Sequence, residues 1–160
     1  MIRSTHLSDA QSICDIYNGY IRNSTITFEE IPVSSEEMRG RIESATQDYP
    51  WLVYETDGKI VGYAYGRKWR DRAAYRNSVE AGTYLNPQFV GKGIGTELMK
   101  ELLGILKEKS FHTVICGIAL PNPASIALCE KFGFKKVAHF TEVGYKFNKW
   151  IDVGYWQLIL

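Results

Sequence analysis

A mixed α/β or α+β domain around one largely antiparallel sheet is the fold class that this sequence predicts. Three observations predict it. The elements run strand, two helices, three strands, helix, strand, helix, two strands, without the strict alternation of a doubly wound fold. Asp57-Gly58 sits between two apolar strand-like runs and marks an antiparallel hairpin. Gly91, Gly93 and Gly95 stand at alternate positions between a strand and a helix, so the strand feeds into the helix through a glycine-rich turn.

Each element has its own local reason. Ile2 to His6 is a short strand, and Ser8 is placed to cap a helix starting at Asp9. Ile13, Ile16, Tyr17, Tyr20 and Ile21 make one apolar face of that helix. Asn23-Ser24-Thr25 ends it, and Ile26 to Glu29 reads as extended. Pro32 breaks the chain, after which Ser34 or Ser35 caps a second helix through about Ala45. Trp51 to Tyr54 is a strand, and Ile60 to Gly66 returns from the Asp57-Gly58 turn. Lys68 to Arg76 is a charged connection to the strand Ser78–Leu85. Ile94, Leu98, Leu102 and Leu106 then repeat at helical spacing, to about Lys109. Thr113 to Ile118 is an apolar strand, and a turn at Pro121-Asn122-Pro123 leads into a helix over Ala124–Phe132, ended by Gly133. Phe134–Phe140 and Val153–Leu160 close the fold as strands.

The totals bound the class of protein. One domain, 1–160, is expected from 160 residues. A net charge of +1 gives no strong attraction for nucleic acid or membrane, and neither is expected as a partner. Met1 to His6 carries no signal-peptide apolar core, and Cys14, Cys116 and Cys129 show no metal-ligand spacing. The expectation is a cytoplasmic protein with reduced thiols and no metal site.

The run Gln88-Phe-Val-Gly-Lys-Gly-Ile-Gly-Thr96 carries the clearest chemistry. A turn of this kind points several N–H groups at one spot, where the helix dipole adds partial positive charge. That is a site for a phosphate or pyrophosphate, although an ordinary glycine turn reads the same way. Gly93 after Lys92 excludes a Walker A loop, and Thr96 stands where a dinucleotide fingerprint needs its third glycine. What fits is Gln-x-x-Gly-x-Gly over Gln88, Gly91 and Gly93.

Several separated stretches agree with that loop. They are Ile16-Tyr-Asn18, Ser24-Thr-Ile-Thr-Phe-Glu29, Ala74-Tyr-Arg-Asn-Ser-Val-Glu80, Pro121-Asn-Pro-Ala-Ser125, Glu130-Lys-Phe-Gly-Phe134, Val143-Gly-Tyr-Lys-Phe147 and Trp150-Ile-Asp-Val153. In this order, and over nearly the whole length, the chain resembles the phosphinothricin N-acetyltransferase branch of the GNAT superfamily.

The resemblance implies the GNAT acetyltransferase fold, with a sheet splayed beside the glycine loop to admit the pantetheine arm of acetyl-CoA. It places acetyl-CoA on Thr83, Tyr84 and Leu85, on the turn Gly91, Lys92, Gly93, Ile94, Gly95 and Thr96, and at Asn122 and Ser125. Asn122 reads equally as a turn residue between two prolines. Glu80 is the implied general base, which takes the proton from an acceptor amine; as a strand glutamate it could also simply face solvent. Phe28, Arg70, Arg72, Ala74 and Tyr75 are the implied substrate contacts. An arginine fork suits a carboxylate or phosphinate, whereas a solvated loop explains Arg70 and Arg72 as well. Phe28 and Trp69 could wall the pocket or pack in the core.

Cys129 departs from the family, whose members carry histidine or tyrosine there; as a small buried filler it needs no chemical role. The implied activity is direct transfer of acetyl to a small amino acid or analogue, such as phosphinothricin or methionine sulfoximine. Rival readings are transfer to a polyamine, an aminoglycoside or a protein, or a CoA-binding protein without activity. The resemblance and the aromatics Tyr145, Phe147, Trp150, Tyr155 and Trp156 imply a homodimer; alternatively they form the monomer core.

Overall fold

A computed structural model describes residues 1–160. The chain order is β1 (Ile2–Ser4), α1 (Ala10–Asn23), α2 (Ser35–Ala45), β2 (Trp51–Thr56), β3 (Lys59–Lys68), β4 (Ser78–Leu85), α3 (Ile94–Glu108), β5 (Thr113–Ala119), α4 (Pro123–Lys131), β6 (Lys135–Lys146) and β7 (Lys149–Ile159). The strands form one seven-stranded sheet in the order β1-β2-β3-β4-β5-β7-β6. Every pairing is antiparallel except β4 with β5, as a largely antiparallel sheet requires.

Two cores hold the sheet from opposite faces. Leu98, Leu102 and Leu106 of α3 pack with Leu52, Ala64 and Val79. Ile13, Ile16 and Ile21 of α1, with Met38 and Ile42 of α2, pack with Trp51, Val53 and Tyr63. The β2–β3 turn has Asp57 and Gly58 both at positive φ, 49° and 70°, the conformation an Asp-Gly hairpin adopts. Ser34 caps α2 by accepting from the Glu37 N–H at 3.1 Å.

Four local expectations differ. Ser8 does not cap α1; Leu7–Asp9 forms a 3-10 turn, and the Asp9 carboxylate accepts the His6 N–H at 2.7 Å and pairs with Arg3 at 2.7 Å. A carboxylate that can hold an arginine outcompetes a serine for the same backbone donors. Ile26 to Glu29 is no strand but a loop, pinned because the buried Lys146 donates to the Thr27 carbonyl at 2.8 Å. Phe134 is buried ahead of β6, which starts at Lys135 and runs on to Lys146. The register shift between Phe140 and Gly144 carries it past the expected end, with Glu142 at φ 52°. β7 likewise starts at Lys149, behind a turn in which Phe147 and Asn148 both have positive φ. No glycine announces that turn, so the sequence hid it.

Candidate active site

β4 and β5 pair only over Ser78–Glu80 and Thr113–Ile115. Beyond Glu80 they separate, because β4 stays with β3 while β5 follows β7. The gap is a cleft of about 280 Å³. Its walls are strand backbone, and its contents follow from the ladder. Asn86 N–H bonds the Val61 carbonyl at 2.8 Å, so the next pair, Gly62 and Leu85, is not hydrogen-bonded. Antiparallel alternation therefore turns the N–H and C=O groups of Thr83 and Leu85 away from β3 and into the gap. The Leu85 carbonyl is taken by the Tyr20 hydroxyl at 2.6 Å. Thr83 Oγ1 is buried and has no partner within the protein.

The glycine turn stands where β4 ends. Gly91 and Gly93 have φ of 81° and 84°, which L side chains adopt at a cost, and a Cβ at either would meet nothing within 4 Å. Gly93 is the residue before α3, and no side chain caps the helix. The first-turn amides of Ile94, Gly95 and Thr96 are thus left for a ligand. The Ile94 side chain is itself core, so only its backbone is available. Lys92 lies over the Phe89 ring at 4.5 Å, and Lys131 of α4 reaches Thr96 Oγ1 at 3.4 Å, adding a second cation that no motif signalled. Asn122 caps α4 by accepting the Ser125 N–H at 3.2 Å, and both residues line the cleft.

On the opposite side of β4 the alternation of strands presents Glu80, Gly82 and Tyr84 beside Arg67, Tyr65 and Tyr63 of β3. A Cβ on Gly82 would meet the Tyr65 ring at 2.6 Å, so glycine there admits the phenol over the β4 backbone. Both oxygens of Glu80 accept from Arg67, Oε2 from Nε at 3.0 Å and Oε1 from Nη2 at 2.8 Å. Burial works against the Arg67 charge, yet the Glu80 carboxylate outweighs it and holds the guanidinium pKa above its usual range. Burial also pushes up the phenols of Tyr65 and Tyr84. Tyr17 closes this side, bonding to Thr27 Oγ1 at 2.7 Å and to Glu29. Arg41 grips Glu29 through two bonds and holds its carboxyl below the usual range, against the cost of burial.

The structure thus brings Glu80, Thr83, Tyr84, Asn122, Ser125 and Phe28 to one cleft. Leu85 and the turn from Gly91 to Thr96 adjoin it. Arg70, Arg72, Ala74 and Tyr75 do not line it. Arg70 stacks on Trp69 at 4.0 Å and donates to the Trp69 carbonyl at 3.1 Å. Trp69 in turn meets Tyr155, which does line the cleft, so Arg70 stands at the rim. The arginine at the cleft is Arg67, which the sequence reading passed over. Extending β3 two residues beyond Gly66 would have put it directly across from Glu80. Cys116 and Cys129 also line the cleft, both buried. A hydrogen bond to Cys129, reinforced by burial, holds the Cys116 thiol well up.

Residues 2–154 match the acetyltransferase (GNAT) domain. The chain is 36% identical to phosphinothricin N-acetyltransferase of Streptomyces viridochromogenes over 98% of this chain and 85% of that protein. It is 32% identical to an L-methionine sulfoximine/L-methionine sulfone acetyltransferase of Pseudomonas aeruginosa, over 99% and 94% of the two chains. A phosphinothricin acetyltransferase from Sinorhizobium meliloti, solved with AcCoA, superposes with a TM-score of 0.97 at 36% identity, covering 100% of this chain and 88% of that one.

Proposed function

This chain belongs to the GNAT acetyltransferase family, and we propose that it moves acetyl from acetyl-CoA to the amino group of a small amino acid or analogue. The reading rests on one observation above all: a carboxylate, Glu80, at the closed end of a cleft between two splayed strands. The site fits the cosubstrate. Unpaired strand amides and the partnerless Thr83 hydroxyl suit the amides of pantetheine, and the α3 N-terminus suits a pyrophosphate. Bound there, acetyl-CoA supplies an activated thioester. Glu80 takes the proton from the acceptor ammonium, directly or through one water, so that the amine can attack. A backbone N–H of β4 near Leu85 faces the gap and stabilises the charge that develops on the carbonyl oxygen. The relatives' names point to phosphinothricin or methionine sulfoximine as acceptors. Arg70 at the rim, with Arg72 in the same connection, is suited to hold a distal anionic group of such molecules.

A thiol-release assay with acetyl-CoA and a panel of amines tests this. Turnover is expected on phosphinothricin or methionine sulfoximine. Turnover confined to polyamines, aminoglycosides or peptides would overturn the acceptor class, and none on any amine would leave a CoA-binding protein.

We also propose a homodimer. Trp156 is core and Tyr155 lines the cleft, but Phe140, Val143, Tyr145, Phe147 and Trp150 are all at least half exposed on the β6–β7 hairpin. β6 is an open sheet edge of 12 residues, which a second copy can cover about a two-fold axis. Light scattering should give twice 18.2 kDa; a monomer at micromolar concentration would exclude it.

A further inference from the structure

Of all the residues that line the cleft, Arg67 and Glu80 are the only two that carry a charge. They face each other as cross-strand partners, and they are bound to each other by two hydrogen bonds. The Arg67 side chain is 55% exposed and that of Glu80 20%. Arg67 also lines a second cavity, of about 720 Å³, between α2 and the sheet, so its guanidinium stands on the border between two open volumes. An ion pair this accessible is readily exchanged for other partners.

An α-amino acid carries an ammonium and a carboxylate on one carbon. Its two charges are as close together as those of the pair. We propose that Arg67 takes the acceptor's α-carboxylate while Glu80 takes its ammonium, so that the zwitterion inserts into the ion pair. Each buried charge then keeps an opposite partner, which a buried charge requires. Glu80 meets the ammonium only when Arg67 has been given another anion, so binding and deprotonation are coupled. Arg70 and Arg72 lie outside the cleft lining and cannot substitute for Arg67 at this point. This inference rests on the reading of the protein as an acetyltransferase of amino acids, and it adds the residue that selects for the free α-carboxylate.

The test compares methionine sulfoximine with its α-carboxamide, which keeps the amine and removes the anion. Wild type should prefer the acid. Arg67→Gln should raise KM for the acid about 10–100-fold, the loss of one charge-assisted contact, and change KM for the amide by less than about threefold. Arg67→Lys should restore part of the preference. A binding measurement serves as a second readout. In Glu80→Gln the anion that competes for Arg67 is gone, so calorimetry should show the N-acetylated product, a carboxylate without an ammonium, binding about tenfold tighter than to wild type. The double variant should lose that gain. Equal losses on acid and amide in Arg67→Gln, or no tightening in Glu80→Gln, would overturn the proposal while leaving amino-acid acetylation intact. If wild type acetylates no α-amino acid at all, both readings fail together.

Discussion

The two halves of the cleft are made of different material. On the cosubstrate side the chain presents backbone: strand amides left free by the splay, and helix amides left free by a turn with two positive-φ glycines. On the acceptor side it presents side chains, drawn from β3, β4, α1 and the loop before α2. Backbone groups are the same in any sequence, so the first half tolerates variation and needs only the right fold. Side chains are specific to their positions, so the second half is where one acetyltransferase can differ from another. Substitutions should therefore fall into two groups, those that remove cosubstrate binding and those that alter turnover or acceptor choice.

Gly93→Val should show the largest effect. Gly93 has φ of 84°, a left-handed conformation that costs an L residue about 1–2 kcal/mol, and a β-branched one at least as much. Nothing within 4 Å blocks a Cβ, so the protein should still fold. The valine side chain would then occupy the space in front of the α3 amides where the pyrophosphate belongs. Calorimetry should detect no acetyl-CoA binding by a folded variant. Wild-type affinity would mean that the anion site lies elsewhere, and the backbone half of the comparison would fail.

Legibility divides along the same line. The glycine turn, the β2–β3 hairpin and the Ser34 cap are each announced by residues adjacent in sequence, because the physics that makes them is local. Glu80, Asn122 and Ser125 were also readable, since each lies in a short motif that marks its place. Arg67 was not. Its role depends on cross-strand register with Glu80, thirteen positions away, and register is set by the whole hairpin. Arg70 and Arg72, in the same charged stretch, looked equivalent to any sequence argument. Cys116 was hidden for the same reason: only the parting of β4 from β5 puts it beside α4.

Glu80→Gln should come second, and it acts on the other half. Glutamine keeps the shape and removes the base. Turnover should fall about 10²–10⁴-fold, the usual contribution of a general base. Acetyl-CoA affinity should stay at the wild-type value, because Glu80 lies on the side-chain wall of the cleft. The deficit should narrow as pH rises, since more of the acceptor is then already a free amine. Equal turnover in variant and wild type at neutral pH would place the base elsewhere. A parallel loss of cosubstrate affinity would show that the two halves are not separate.

Cys129→Ala should have the smallest effect, although it touches both halves. The thiol sits at the position where relatives carry an ionisable ring. It is buried, 3% exposed, within the core that also contains Met99 and Phe134. A hydrogen bond with Cys116 lowers its pKa, and burial opposes that shift. The pair satisfies itself, and neither sulfur needs a substrate to complete its contacts. A small buried thiol of this kind behaves as a filler, and removing one sulfur atom leaves only a small void. The leaving CoA thiolate is stable enough near neutral pH to depart without an acid at its side. Cys129→Ala should thus fold, bind acetyl-CoA as wild type does, and keep most of its turnover. A working general acid would be worth about 10²-fold or more, so the two cases are well separated. A hundredfold fall in turnover with unchanged cosubstrate affinity would make Cys129 a proton donor to the leaving thiolate. The cosubstrate side would then contain one side chain with a chemical role among its backbone contacts.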